Sequence, residues 1–296
     1  MEAESLGRLP LIVIVGPTAS GKTGLGIKLA KQFGGEIICA DSRTVYKGMD
    51  IGTAKPDSQE QQGIPHWGLD LVDPGETFNA AMFKDYAEMK IREIRSRGHI
   101  PFLIGGTGLY IDSVIFDYKF EHEADPGFRQ YLNDLTLLEL QLYCYKNNIM
   151  LPENSQNKRY VIRAIEQNGI NQQRKDVPIS TSTIVGIATD RDILRTRIVD
   201  RAEQIFTNGV VEESIKLGKK YGWDSEAMTG NIYPLIREYV NGKLTLPQVK
   251  DKFTTLDWRL AKRQLTWLRR NEYVKWLSLT EAEVYLRELL DTEHKV

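Results

Sequence analysis

Residues 9–15 (LPLIVIV) are apolar at almost every position and rich in β-branched side chains, the pattern of a strand buried on both faces of a parallel sheet. The runs EIICA at 36–40, IPFLI at 100–104 and TIVGIA at 183–188 repeat it. Between the first three, the polar and apolar positions follow a helical period. One helix is expected over 21–33, and another over 83–96, with Met82, Tyr86, Met89 and Ile94 at helical spacing. Strand and helix in alternation predict an α/β core, a parallel sheet flanked by helices.

The pattern changes at about residue 117. No strand-like run follows until 179, and residues 128–147 and 158–167 read as helices separated by the polar break LPENSQNK. A helical insert is therefore expected at 117–179, with the core built from 1–116 and 180–296. After TIVGIA, amphipathic helices are expected at 190–206, 210–221, 232–240 and 247–270, and VKWL at 274–277 reads as an edge strand.

At 296 residues with 41% hydrophobic content, the chain is long enough for one large domain carrying such an insert. A formal net charge of −1 gives no overall field for a polyanion, so any nucleic-acid binding must come from local patches. Cys39 and Cys144 alone cannot make a four-ligand zinc site and suit a reducing compartment. His66, His99, His122 and His294 show no HxxxH or HxxE spacing, so no cage of protein side chains for a metal is expected. Acidic residues precede a short apolar run at the start, and no stretch approaches the roughly 18 apolar residues of a membrane span. A cytoplasmic, soluble chain is the expectation.

The strongest chemical signal is GPTASGKT at 16–23, a full match to GxxxxGK[ST] that directly follows a buried strand and opens a helix. Gly16, Pro17, Thr18, Ala19, Ser20 and Gly21 form the turn that aims successive amides at one anion. Lys22 adds a point charge, and the Thr23 hydroxyl suits Mg²⁺. The core is thus expected to be P-loop NTPase-like. The loop alone does not identify its phosphate compound, and a kinase or an ATPase is compatible with it.

Further motifs narrow the choice. ADSR at 40–43 runs on into VYKGMDIGTAKP, GGTGLY occupies 105–110, NKRYVIRAIE 157–166 and LAKRQLTWLRR 260–270. Taken in this order, the chain resembles the tRNA dimethylallyltransferase family over about residues 9–278. The resemblance implies transfer of a five-carbon prenyl group from dimethylallyl diphosphate to the exocyclic amine of an adenosine beside the anticodon, with Mg²⁺. It implies that the loop grips the donor diphosphate, although the motif carries an ATP-binding pattern. The partners implied are the anticodon stem-loop of tRNA and the donor, with no membrane, and a monomer is expected.

The same resemblance makes Asp41 the general base, at the strand end where ligands of open α/β sheets bind. The residues alone also allow Asp41 to cap its turn or to hold Mg²⁺. Thr107 can offer a hydroxyl to the diphosphate or the acceptor, and GGTGLY can equally be a glycine turn packed on the sheet. Arg201 is pointed toward the donor diphosphate, against the alternative of an arginine on a solvated face with Arg197, paired to Asp200 and Glu203. His66 falls where the family also carries histidine. The tRNA contacts implied are Asp41, Ser42, Arg43, Thr44, Thr107, Arg129, Arg159, Tyr160, Arg163 and Arg263, within an insert that binds tRNA and the core beside it. Where the family carries Gln-Arg-x-x-Arg, Tyr160 replaces the first arginine, and the insert is shorter than usual.

Local charge agrees with a polyanionic partner. Residues 156–175 carry Lys158, Arg159, Arg163, Arg174 and Lys175 against Glu166, a net +4. Residues 257–275 carry Arg259, Lys262, Arg263, Arg269, Arg270 and Lys275 against Asp257 and Glu272, also +4. There Leu256, Leu260, Leu265 and Leu268 make an apolar stripe, and Trp258 and Trp267 are candidates for stacking on bases. An adenylate isopentenyltransferase acting on free AMP, ADP or ATP shares the loop and the aspartate. The basic C-terminal helix favours tRNA.

Overall fold

The computed structural model describes residues 9–120, 125–167, 174–179 and 182–293. His122, His294, residues 1–8 and residues 168–173 of the first basic stretch lie outside them. The chain divides into two compact units, one built from residues up to 115 and from 178 onward, the other from 116–177.

The first unit opens with β1 (Leu11–Val15), α1 (Lys22–Phe33), β2 (Gly35–Ala40), β3 (His66–Trp67), α2 (Ala80–Ser96), β4 (Ile100–Gly105) and α3 (Gly108–Ile115). The second unit holds α4 (Pro126–Asp134), α5 (Leu137–Lys146) and α6 (Lys158–Glu166). The first resumes with β5 (Ser182–Ile187), α7 (Arg191–Thr207), α8 (Val210–Tyr221), α9 (Tyr233–Val240), α10 (Leu246–Leu268), β6 (Lys275–Leu277) and α11 (Leu279–Glu293).

The six strands form one sheet in the order β3-β2-β4-β1-β5-β6, every pairing parallel. β1 is central and wholly buried, which is why its sequence shows no alternation. Its end is level with those of its neighbours, Val15 pairing with Gly105 on one side and Gly186 on the other. The loop after β1 therefore leaves the carboxyl edge of the sheet between β4 and β5.

On one face of the sheet, Leu25, Leu29 and Phe33 of α1 and Ala282, Leu286 and Leu290 of α11 pack on Ile12, Ile14, Phe102 and Ile104. A second cluster joins Val45, Tyr46 and Met49, in the loop that leaves β2, to Ala202, Leu217, Ile236, Val249 and Phe253 of α7 to α10. This cluster brings the C-terminal helices to the carboxyl edge. In the second unit, α4, α5 and α6 pack around Leu132, Leu140, Cys144, Val161 and Ile165.

Several expectations need correction. The single helix expected over 128–147 is two, because Leu135 is extended and Thr136 starts α5 with a capping box to Glu139. On α2 the buried face is Phe83, Ala87, Ile91 and Ile94, while Met82 and Met89 are 42% and 39% exposed. The apolar stripe of α10 is likewise displaced: Val249, Phe253, Asp257, Ala261 and Leu268 are its buried positions. β3, α3 and α11 were not expected. Among the described residues, no helix is long and apolar enough to cross a membrane.

Candidate active site

The turn from β1 into α1 owes its shape to two left-handed residues, Ala19 at φ 62° and Gly21 at φ 90°, the latter capping α1. Alternating right- and left-handed backbone turns successive N–H groups to one side and makes a concave anion site. A Cβ at Gly16 would lie 2.7 Å from Ser20 Oγ and would displace that hydroxyl. Ser20 is fully buried, with its hydroxyl unpartnered. Lys22 Nζ donates to the Pro17 carbonyl at 3.1 Å. Burial lowers the Lys22 pKa to about 8; Asp41 opposes that shift and Arg201 adds to it.

A cleft of about 230 Å³ opens beside the loop. Thr18, Lys22, Thr23, Asp41 and Arg201 form its polar wall, and Ile37, Cys39, Leu69 and Ile104 its apolar one. Thr44 also lines it, 6% exposed and with an unpartnered hydroxyl. The Cys39 thiol is pushed up to about 12 by burial and by the neighbouring Asp41, which leaves it a neutral part of the wall.

Asp41 both faces this cleft and caps its own turn, Oδ1 accepting from the Arg43 amide at 2.8 Å. Ser42, Arg43 and Thr107 stand beside the cleft rather than in its wall, for identifiable reasons. Thr107 Oγ1 accepts from the Ser42 amide at 3.1 Å, tying the turn after β2 to the turn after β4. Arg43 Nη1 donates to the Glu226 carbonyl at 3.1 Å, which turns the guanidinium toward the C-terminal helices. His66, on β3, is outside the cleft lining; its Nδ1 lies 2.8 Å from the Ile64 carbonyl and burial lowers its pKa.

Arg201, on α7, does not sit on a solvated face. Nη1 donates to Thr18 Oγ1 and to Asp257 Oδ2 at 3.3 Å, and Nη2 to the Thr53 carbonyl at 3.1 Å. Arg197, one turn earlier, donates to the Ser20 carbonyl at 3.3 Å. Asp257, counted in the sequence only among the charges of residues 257–275, is 5% exposed, and Asn231 Nδ2 donates to its Oδ1 at 2.8 Å. Burial raises the Asp257 pKa, with Arg201 and Asn231 opposing.

α10 reaches the loop a second time. Gln264 Oε1 accepts from the Thr18 amide at 2.8 Å. The same side chain fills the space above Gly106, where a Cβ would fall 2.5 Å from Nε2, and the Trp267 indole fills the space above Gly108. Trp267 Nε1 donates to Asp112 Oδ2 at 2.6 Å. Trp267 is therefore a packing residue and not an open stacking platform. Trp258 packs against Leu194 and Ile198, with Arg191 and Lys262 over its ring. Arg259, Lys262, Arg263, Arg269 and Arg270 all remain exposed. Sequence reading missed Asp257 and Gln264. A carboxylate at i, i+4 spacing between Phe253 and Ala261 was the available signal for the first.

The second unit carries the other expected contacts. Arg129 grips the buried Glu166 through Nε at 2.5 Å and Nη2 at 2.6 Å, and Arg163 Nη1 lies 3.5 Å from the same carboxylate. Both arginines thus serve an internal network that ties α4 to α6. Tyr160 is 46% exposed and Arg159 is exposed beside it.

Comparison with known proteins bears on the whole chain. A family model described as IPP transferase matches residues 44–271, and one described as isopentenyl transferase matches residues 9–70. The tRNA dimethylallyltransferase of Bacillus velezensis is 37% identical over 287 residues, covering 92% of this chain and 91% of the relative. That of Desulforudis audaxviator is 40% identical over 288 residues, covering 92% and 93%. The crystal structure of the tRNA isopentenylpyrophosphate transferase of Bacillus halodurans superposes with a TM-score of 0.74 at 34% identity, covering 97% of this chain and 99% of that one. A eukaryotic dimethylallyltransferase acting on tRNA shares the fold, with a TM-score of 0.79 at 23% identity. With its α/β sheet, its phosphate loop and a family match across most of its length, this chain belongs to the IPP transferase family, the tRNA dimethylallyltransferases.

Proposed function

We propose that this chain transfers the dimethylallyl group of dimethylallyl diphosphate to the exocyclic amine of an adenosine next to the anticodon of tRNA. The observation that supports it is a single cleft lined by Lys22 and Arg201 of the phosphate site, by the Asp41 carboxylate, and by Ile37, Cys39, Leu69 and Ile104, apolar groups suited to a five-carbon tail. The amine lone pair attacks C1 of the donor, the C1–O bond breaks, and the diphosphate leaves with the bonding pair. Lys22, Arg201 and the loop amides stabilise the charge that develops on it. Asp41 takes the proton that the amine loses.

The Thr23 hydroxyl is a hard oxygen donor in that wall and would hold Mg²⁺ beside the diphosphate. Bound there, the ion would neutralise charge on the leaving diphosphate. The acceptor is held by the exposed basic face of α10, including Arg263, and by residues 41–44 with Thr107. In the helical unit, considered by itself, Arg159 and Tyr160 are the exposed groups open to RNA. Incubation with labelled dimethylallyl diphosphate and either tRNA or AMP tests the reading. Label is expected in tRNA. Efficient labelling of AMP alone would move the chain to the adenylate enzymes, and transfer of the γ-phosphate of ATP would make it a kinase.

A further inference from the structure

The amide and the hydroxyl of Thr18 are held by side chains that trace back to one helix. Its amide is taken by Gln264, and its hydroxyl by Arg201, whose guanidinium rests on Asp257. Asp257 and Gln264 are seven residues apart, hence on one face of α10, with Ala261 buried between them. Asn231 occupies the second oxygen of Asp257, so the carboxylate is oriented as well as paired.

A buried ion pair is a weak source of stability, because desolvation cancels most of its attraction. An apolar residue at 257 would continue the stripe of Val249, Phe253 and Ala261 without that cost. The carboxylate there is better explained by what it aims. Arg201 has donors committed to Thr18, Thr53 and Asp257, a geometry that fixes the fork against the cleft.

We infer that Asp257 and Gln264 are positioning residues that set the phosphate loop at Thr18, Asp257 through Arg201 and Gln264 directly, and thereby set the grip on the donor diphosphate. This rests on the reading of the loop as the donor site. It makes α10 a two-sided element: its exposed side carries the basic residues, and its buried side shapes the anion site.

The test is titration of inorganic pyrophosphate and of dimethylallyl diphosphate, without RNA, into the full chain and its variants. Asp257→Asn is expected to weaken both by about tenfold, the loss of one charge-assisted contact. The same substitution made in an Arg201→Ala background is expected to cost nothing more, because the carboxylate acts through that arginine. Gln264→Leu is expected to weaken both ligands severalfold in either background. Asp257→Glu, which restores the carboxylate, should recover part of the loss.

A thermal melt of each variant separates loss of grip from loss of fold, and should Asp257→Asn not fold, Asp257→Glu and Gln264→Leu carry the test. Parent affinity in Asp257→Asn or in Gln264→Leu, with Lys22→Ala crippled, overturns the positioning role and leaves the donor site standing. An Asp257→Asn loss undiminished in Arg201→Ala overturns it too. Parent affinity in Lys22→Ala removes the donor-site reading itself, and the inference with it.

Discussion

Lys22 offers the most quantitative prediction. Its ammonium is held at a pKa of about 8, against an ordinary value of 10.5, by burial that Asp41 only partly offsets. The charged form is the one that binds diphosphate. With that pKa about 90% of the free protein carries the charge at pH 7 and about 10% at pH 9, so donor affinity should fall roughly tenfold across the interval. The donor's charge is nearly constant there, since the last ionisation of a phosphate ester has a pKa near 6 and is about 90% complete by pH 7.

Stability moves the opposite way. The folded pKa is depressed, so between about 8 and 10.5 the unfolded chain binds more proton and stability rises with pH through that window. Below it, keeping Lys22 ionised costs up to about 3 kcal/mol. Lys22→Met should therefore raise Tm at pH 7 while crippling donor binding, a trade common at functional sites. Calorimetric titration of dimethylallyl diphosphate at pH 7, 8 and 9, beside melts of both proteins, reads each part. An affinity that is flat with pH, or one that falls equally in Lys22→Met, would show that the charge responsible lies elsewhere.

Asp41→Asn should preserve donor affinity and slow single-turnover transfer by roughly 10²–10⁴-fold, and an unchanged rate would assign the proton to another group. Reversing charge at Arg263 and Arg269 should weaken tRNA binding, flatten its dependence on salt and leave pyrophosphate affinity alone; a parent-like salt slope would exclude this face of α10 as the RNA grip. Glu36, 3% exposed, accepts from Arg97, His99 and Trp67; burial raises its pKa, but these bonds outweigh it and hold the value near 2. Its contribution is present above pH 4.5 and lost as pH falls toward 2, so Glu36→Gln should destabilise at neutral pH and flatten the acid limb of a urea-melt series.

What was readable in the sequence tracks how local each cause is. β1, β2, β4 and β5 announce themselves because strands buried on both faces are apolar along most of their length, Glu36 being the exception in β2, and the phosphate loop because its motif is eight consecutive residues. β3 is two residues long, His66 and Trp67, too short for any period to register. In α3 every residue but Leu109 is buried, Asp112 included, so no polar face marks it as a helix. α11 did carry a signal, Ala282, Leu286 and Leu290 at helical spacing, and Thr136 with Glu139 announced the break before α5. The bonds that complete the site were out of reach for another reason. Gln264 meets Thr18 across 246 residues and Asp257 meets Arg201 across 56, and no local preference reports such a meeting.

The glycines at 106 and 108 acquire a meaning that their own neighbourhood does not supply. They are vacancies shaped to the outline of Gln264 and Trp267, side chains that arrive from the far end of the chain. The turn after β4 and the end of α10 are thus two halves of one lock, cut from segments about 155 residues apart. A chimaera that grafts either half alone from a protein with different contours would bring a methyl group against an indole or leave a hole beneath it. Grafted together, the two halves should transplant as a unit.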